Sequence, residues 1–296
     1  MKKKNAAFIA VDIFYLALMI LPLIAGMVLK ILTKPASEGI SVSGAQIYFT
    51  IPLPLQNLPV TESQINCLIV TLFILGLCLF LTHGIKEAPD LKRQLLAEWI
   101  VEKAEAMTVG NMGEFFASFP PFIAAILGFS AFSSLLALLG LYTPTSDINI
   151  VGGWAILVFV LITYYKSKCG PISYLKSFGD PVPFLAPLNI ISEVATPISM
   201  AFRHYGNILS GSVIAVLLAA GLGGLSKMLL GWLPGILGEF PLLQIGIPAI
   251  LSLYFDLFSS ILQAYIFAML TMLYISSGFP ADEYKLKQEK KQLKRR

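Results

Sequence analysis

Apolar stretches near the length of a membrane helix recur along the chain, with short polar or basic stretches between them. They fall at about 6–32, 65–82, 115–141, 151–165, 187–227 and 249–276. Roughly 20 apolar residues span a hydrocarbon core about 30 Å thick, so the pattern predicts six membrane helices. The runs are continuous rather than alternating, which is not the pattern of a membrane β-barrel. The fifth run would extend roughly 60 Å as one helix at 1.5 Å per residue, about twice the core thickness. It must lie strongly tilted or be broken, and the sixth is also long. The expected fold class is an all-α polytopic membrane protein whose last two helices form a long, tilted hairpin.

The intervening stretches divide the chain further. Residues 1–34 form an N-terminal membrane helix after Lys2, Lys3 and Lys4. A signal peptide begins in the same way, but its apolar core is only about 7–15 residues. This run is longer and continues into Lys30 and Lys34, which favours a retained helix. Residues 35–64 read as an extracytoplasmic segment, where Pro52, Pro54 and Pro59 break any helix. Residues 65–277 form the core and 278–296 a basic cytoplasmic tail. Within the core, 86–103 is charged but keeps helical apolar spacing, as an interfacial segment does.

Only 13% of residues are charged, about half the fraction of a soluble protein. The net charge of +4 does not indicate nucleic acid, because the basic residues cluster at the ends of apolar runs. With six spans, one side collects Lys2–Lys4, Lys86, Lys92, Arg93, Lys103, Lys166, Lys168, Lys176 and the tail, against Lys30, Lys34 and Lys227 on the other. The positive-inside rule then puts both termini in the cytoplasm. Cys67, Cys78 and Cys169 lack metal-ligand spacing and read as free thiols. There is no Walker loop, G-x-S-x-G elbow or metal cluster, and no two-half symmetry of a secondary transporter. No cofactor is expected.

Arg203 breaks the apolar pattern most sharply. It is the only Lys or Arg between Lys176 and Lys227. A charge at bilayer depth costs at least about 2.5–3.5 kcal/mol, so it belongs against a protein interior or a watery cavity. Thr196, Ser199, Arg203, Asn207 and Ser210 recur every three or four residues and share one helical face. Ser252, Asp256, Ser259 or Ser260, Gln263 and Thr271 form a second stripe on the last element. A static Asp256–Arg203 bridge would explain two of these groups and leave the others idle. Glu193 lies toward the inner end of the fifth element and Ser212 toward the outer end. Ser212 is nine residues from Arg203 and points the opposite way.

These residues resemble subunit a of the rotary F-type ATP synthase. The strongest match is Pro187-Leu-Asn-Ile-Ile-Ser-Glu193-Val-Ala-Thr-Pro197-Ile-Ser199-Met-Ala-Phe-Arg203-His-Tyr-Gly206-Asn207, with Gly211 beyond it. Gln263-Ala-Tyr-Ile-Phe267, Pro144-Thr-Ser-Asp147-Ile-Asn149, and Lys86-Glu-Ala-Pro89 followed by Gln94 and Glu98 resemble three further family segments in family order. The resemblance covers about 63–276. Departures are His204-Tyr205, where the family often has Leu-Phe, and Ser212, where it often has glutamate or histidine. Asp256 stands where the family has a histidine, glutamate or other polar group.

The resemblance implies a non-catalytic, ion-translocating stator subunit in a bacterial plasma membrane. Its expected partners are a c-ring, the b subunits of the peripheral stalk and the rest of the F1Fo complex, within the lipid bilayer. Two offset half-channels would serve the ring carboxylates, kept apart by Arg203 with Asn207 and Gln263 beside it. Asp256, Asp147 and Ser212 would line the outer route and Glu193 the inner one, for either H⁺ or Na⁺. The alternative is a stand-alone cation-coupled secondary transporter, which would turn over as the purified chain alone.

Overall fold

The computed structural model describes residues 6–33, 44–52, 54, 56–87, 91–179, 182–233, 235, 241, 243, 246, 248, 250–251, 253–281 and 284–285, without the side chains of Cys169, Pro171, Ser173, Ser177 and Asp256. Lys2–Lys4, Lys34, Pro89, Ser252, most of the 234–252 linker and the basic tail from 286 lie outside the described residues. The elements in order are α1 (Ala6–Thr33), β1 (Ile47–Ile51), β2 (Leu58–Thr61), α2 (Glu62–Thr82), α3 (Lys92–Met112), α4 (Pro120–Leu138), α5 (Ile148–Lys166), α6 (Pro171–Ser177), α7 (Ala186–Leu230), a π-helical segment (Leu253–Ser259) and α8 (Ser260–Ser277). Among the described residues, six helical stretches are long and apolar enough to cross a bilayer: α1, α2, α4, α5, α7 with the turn before it, and the π segment with α8.

Local chemistry sets several boundaries. α2 opens at Thr61-Glu-Ser-Gln64, where the Gln64 side chain accepts from the Thr61 backbone N–H at 3.2 Å, half of a capping box. α4 starts at Pro120, later than the apolar run alone predicts. Glu114–Phe116 instead form a short 3₁₀ turn, and Pro120-Pro121 suit a first helical turn, whose N–H groups have no helical acceptor. α7 passes Pro197 without a break and runs 45 residues, roughly 65–70 Å at 1.5 Å per residue. Between α1 and α2 the antiparallel hairpin β1–β2 pairs Phe49 with Val60 and Ile51 with Leu58. Its proline-rich sequence excluded helix but gave no strand alternation.

The largest buried cluster joins α3, α4, α5, α7 and α8 through Phe116, Phe119, Ile123, Val158, Met200, Phe267 and Met272. α1 packs along α2 instead. A methyl group on Gly76 of α2 would lie 2.7 Å from Met19 Cγ and 3.2 Å from the Tyr15 carbonyl oxygen. The bare glycine lets the two helices close, as small residues do in membrane bundles. Both ends of α1 are tied by charge. Near its start, Asp12 Oδ1 accepts from Arg93 Nη1 at 2.7 Å and lies 2.9 Å from His83 Nδ1. Near its end, Lys30 Nζ sits 3.0 Å from Glu62 Oε1.

Candidate functional site

Helical periodicity divides α7 into two faces. Pro197, Met200, Ala201, His204, Ile208 and Gly211 are buried against the bundle. Ser199, Arg203, Asn207 and Ser210 are exposed and Thr196 is half-buried, so the polar stripe points away from this chain's own core. Among the described residues Arg203 has neither an ion pair nor a hydrogen bond. Asn207 Nδ2 donates to Gln263 Oε1 at 2.5 Å, which ties the stripe to α8, where Gln263 is 3% exposed. Gly211 admits Phe255 of the π segment: a methyl there would lie 3.3 Å from Phe255 Cβ. That segment winds with i→i+5 bonding, so it takes more residues per turn than an α-helix. The seven-residue spacing from Asp256 to Gln263 therefore crosses a change of phase rather than two α turns. The Asp256 side chain lies outside the described residues.

Two cavities lie along α7 on either side of the Arg203 level, one polar and one of mixed lining. The first, about 360 Å³, lies beside the α5–α7 connection and is lined by Lys166, Phe178, Asn189, Ser192, Glu193 and Thr196. Glu193 is held by Lys166 Nζ at 2.9 Å and by the Tyr174 hydroxyl at 3.1 Å. Burial, with the Glu193 charge second, raises the Tyr174 phenol above its ordinary value. It therefore stays protonated, as a donor to Glu193, through the physiological range.

The second cavity, about 560 Å³, lies toward the hairpin end and is lined by Lys30, Tyr142, Ser146, Tyr205, Ser212 and Ser260 among others. The first reaches along α7 to Thr196 and the second begins at Tyr205. Nine residues separate those positions (205 − 196), about 13–14 Å of helix, and Arg203 falls between them.

The remaining candidates separate. Ser212 lines the second cavity and bonds the Leu209 carbonyl at 2.8 Å. Asp147 is not among that cavity's described lining residues. It caps α5, accepting from the Asn149 backbone N–H at 3.0 Å, and takes a hydrogen bond from the Ser63 hydroxyl. Asn66, on the same first turns of α2 as Ser63, donates to the Tyr142 carbonyl at 2.7 Å. Sequence reasoning missed Glu62, Ser63 and Asn66, all nearly fully buried. Their signal was a polar trio at the head of an apolar run, which the Pro-rich segment before it obscured. His204 is fully buried beside Ser130, with its Nε2 3.4 Å from the hydroxyl oxygen, and between the rings of Trp154 and Phe267.

The architecture is that of a multi-pass helical membrane protein whose polar groups gather on its last two long helices. Residues 65–276 match the family described as ATP synthase A chain. The chain is 29% identical over 282 residues to ATP synthase subunit a, sodium ion specific, of Propionigenium modestum, covering 82% of this chain and 88% of that one. It is 28% identical to ATP synthase subunit a 1 of Crocosphaera subtropica, over 74% of this chain and 86% of that one. It is also 31% identical to ATP synthase subunit a of Nitratidesulfovibrio vulgaris, over 72% and 83% of the two chains. The chain therefore belongs to the ATP synthase subunit a family: it is the ion-translocating stator component of the membrane sector, part of a larger complex and not its catalytic subunit.

Proposed function

We propose that the two cavities are offset half-channels, and that Arg203 keeps them apart while a ring of c subunits turns against the exposed stripe of α7. The larger cavity opens to the outside and the Glu193 cavity to the cytoplasm. This follows the charge asymmetry of the loops, which also puts both termini in the cytoplasm of a bacterium. The observation that carries the reading is the exposed Arg203, with no ion pair or hydrogen bond among the described residues, between two separate cavities. A guanidinium has five donors and does not deprotonate in proteins, so it cannot relay a proton. It attracts an ionised ring carboxylate and repels cations from the barrier between the cavities.

In this reading an ion (H⁺ or Na⁺) enters from outside past Ser212 and Asp256 and neutralises a ring carboxylate. The site then rotates nearly a full circle, and the ion leaves past Glu193. Asn207 and Gln263 hold α7 and α8 in register beside Arg203. Asp147 shapes the outer mouth through its contact with Ser63. The b subunits pack on the remaining surface of the 65–277 core, with 1–34, 35–64 and 278–296 as additions to it. One charge crossing 100 mV supplies about 2.3 kcal/mol, so several ions serve each ATP.

Cross-linking tests this arrangement. Cysteines at Ser199 or Asn207, on the exposed stripe, form disulfides with cysteines in the outer helix of the c subunit in the assembled complex. Cysteines at Ala201 or Ile208, on the buried face, do not. Equal cross-linking from both faces, or none from the stripe, would remove the ring from this surface.

A further inference from the structure

We infer that α1 supplies a wall of the outer vestibule, and that its Lys30, paired with Glu62, sets the electrostatic barrier to cations entering there; this rests on the larger cavity being the outer half-channel. Both residues precede residue 65, where the family match begins. Lys30 stands in the last turn of α1 and lines the cavity with Tyr142, Ser146, Tyr205 and Ser212. Its Nζ is 3.0 Å from Glu62 Oε1, with the lysine side chain 33% exposed and the glutamate 3%.

The carboxylate is fixed from three directions. It opens α2, faces the ammonium of α1, and accepts from the Tyr142 backbone N–H at 3.3 Å. A cation at a helix C-terminus and an anion at a helix N-terminus are each favoured by the helix dipoles. The dipoles and the Tyr142 N–H therefore hold the pair in place.

The ammonium lines a cavity through which cations pass, so its charge acts on them directly. A fixed charge in a low-dielectric cleft changes local ion concentration, an effect that can reach 10–10³ in association rate. Glu62 cancels most of the Lys30 charge, and the wall is close to neutral. Removing either member tips it, in opposite directions. Lys30→Gln keeps a hydrogen-bond donor for Glu62 and leaves the carboxylate uncompensated, which draws cations in. Glu62→Gln keeps an acceptor for Tyr142 N–H and leaves the ammonium uncompensated, which holds cations off.

The test is gradient-driven ATP synthesis by the intact complex in liposomes, titrated against the outer concentration of the coupling ion at low ionic strength. Lys30→Gln lowers the half-saturating concentration about three- to tenfold and Glu62→Gln raises it by a similar factor. Both shifts shrink toward zero in about 1 M of an inert salt, where the screening length falls to about 3 Å. If either variant does not assemble, the other decides alone. Shifts in the same direction, no shift, or a shift that survives high salt overturns the inference. Arg203→Ala runs in parallel: synthesis persisting there would sink the half-channel reading itself. Loss of synthesis there with unshifted Lys30 and Glu62 variants sinks only the role of the pair.

Discussion

Arg203→Ala abolishes gradient-driven ATP synthesis while the complex still assembles. The expected loss is at least about 100-fold, or roughly 2.7 kcal/mol on the barrier. Assembly survives because Arg203 is exposed and forms no ion pair among the described residues. Exposed substitutions of this kind shift stability by only about 0.5 kcal/mol. Function fails because only about 13–14 Å of helix separates the two cavities, and nothing else on the exposed stripe carries positive charge. The same variant raises passive flux of the coupling ion. Arg203→Lys restores the charge but not the fixed fork, and a lysine shifts its pKa readily in a dry site, so recovery is partial. Synthesis at the wild-type rate in Arg203→Ala vesicles would refute the assignment.

Arg93→Ala loosens α1 from the bundle by about 1.5–3 kcal/mol, the scale of losing hydrogen bonds to a charged group. The Arg93 and Asp12 side chains are 11% and 13% exposed at 2.7 Å separation. Arg93 also donates to the His83 carbonyl at 2.5 Å and lies 5.1 Å and 5.2 Å from the Phe8 and Phe80 ring centres. Alanine deletes all of these contacts, and Asp12 loses its guanidinium partner. The double variant Asp12→Leu/Arg93→Leu removes both charges and recovers most of the loss, because apolar replacement of a whole buried pair is often neutral. Thermal unfolding of the detergent-solubilised complex, with proteolysis between α1 and α2 as a second readout, checks both. A single variant as stable as the wild type, or a double variant no better than the single, would contradict the clip.

The sequence made the membrane helices legible because run length against bilayer thickness is a coarse quantity, insensitive to where each helix starts. Boundaries were less legible. Phe115 and Phe116 are as apolar as any span residue, yet the Pro120-Pro121 start leaves them in a 3₁₀ turn. The β1–β2 hairpin was invisible because its pairing is not local and its prolines mask the alternation. Of the site, the Thr196–Ser210 stripe was readable from 3.6-residue periodicity, and the neighbourhood of Asn207 and Gln263 only from the family resemblance. The change to i→i+5 winding at Leu253–Ser259 was not readable, since no residue pattern announces a π segment. The contacts of Glu62 with Lys30 and Tyr142, and of Glu193 with Lys166 and Tyr174, join residues 19 to 80 positions apart or lie across helices. Only the folded chain could bring those together.

Two-sided accessibility is the most direct measurement of the central claim. Single cysteines replace Thr196 and Ser212 in a background without Cys67, Cys78 and Cys169, and a membrane-impermeant thiol reagent is added to one face of sealed vesicles at a time. The account predicts that position 196 reacts only from the cytoplasmic face and position 212 only from the outer face. Reaction of both positions from one face would show a single continuous pore and contradict it.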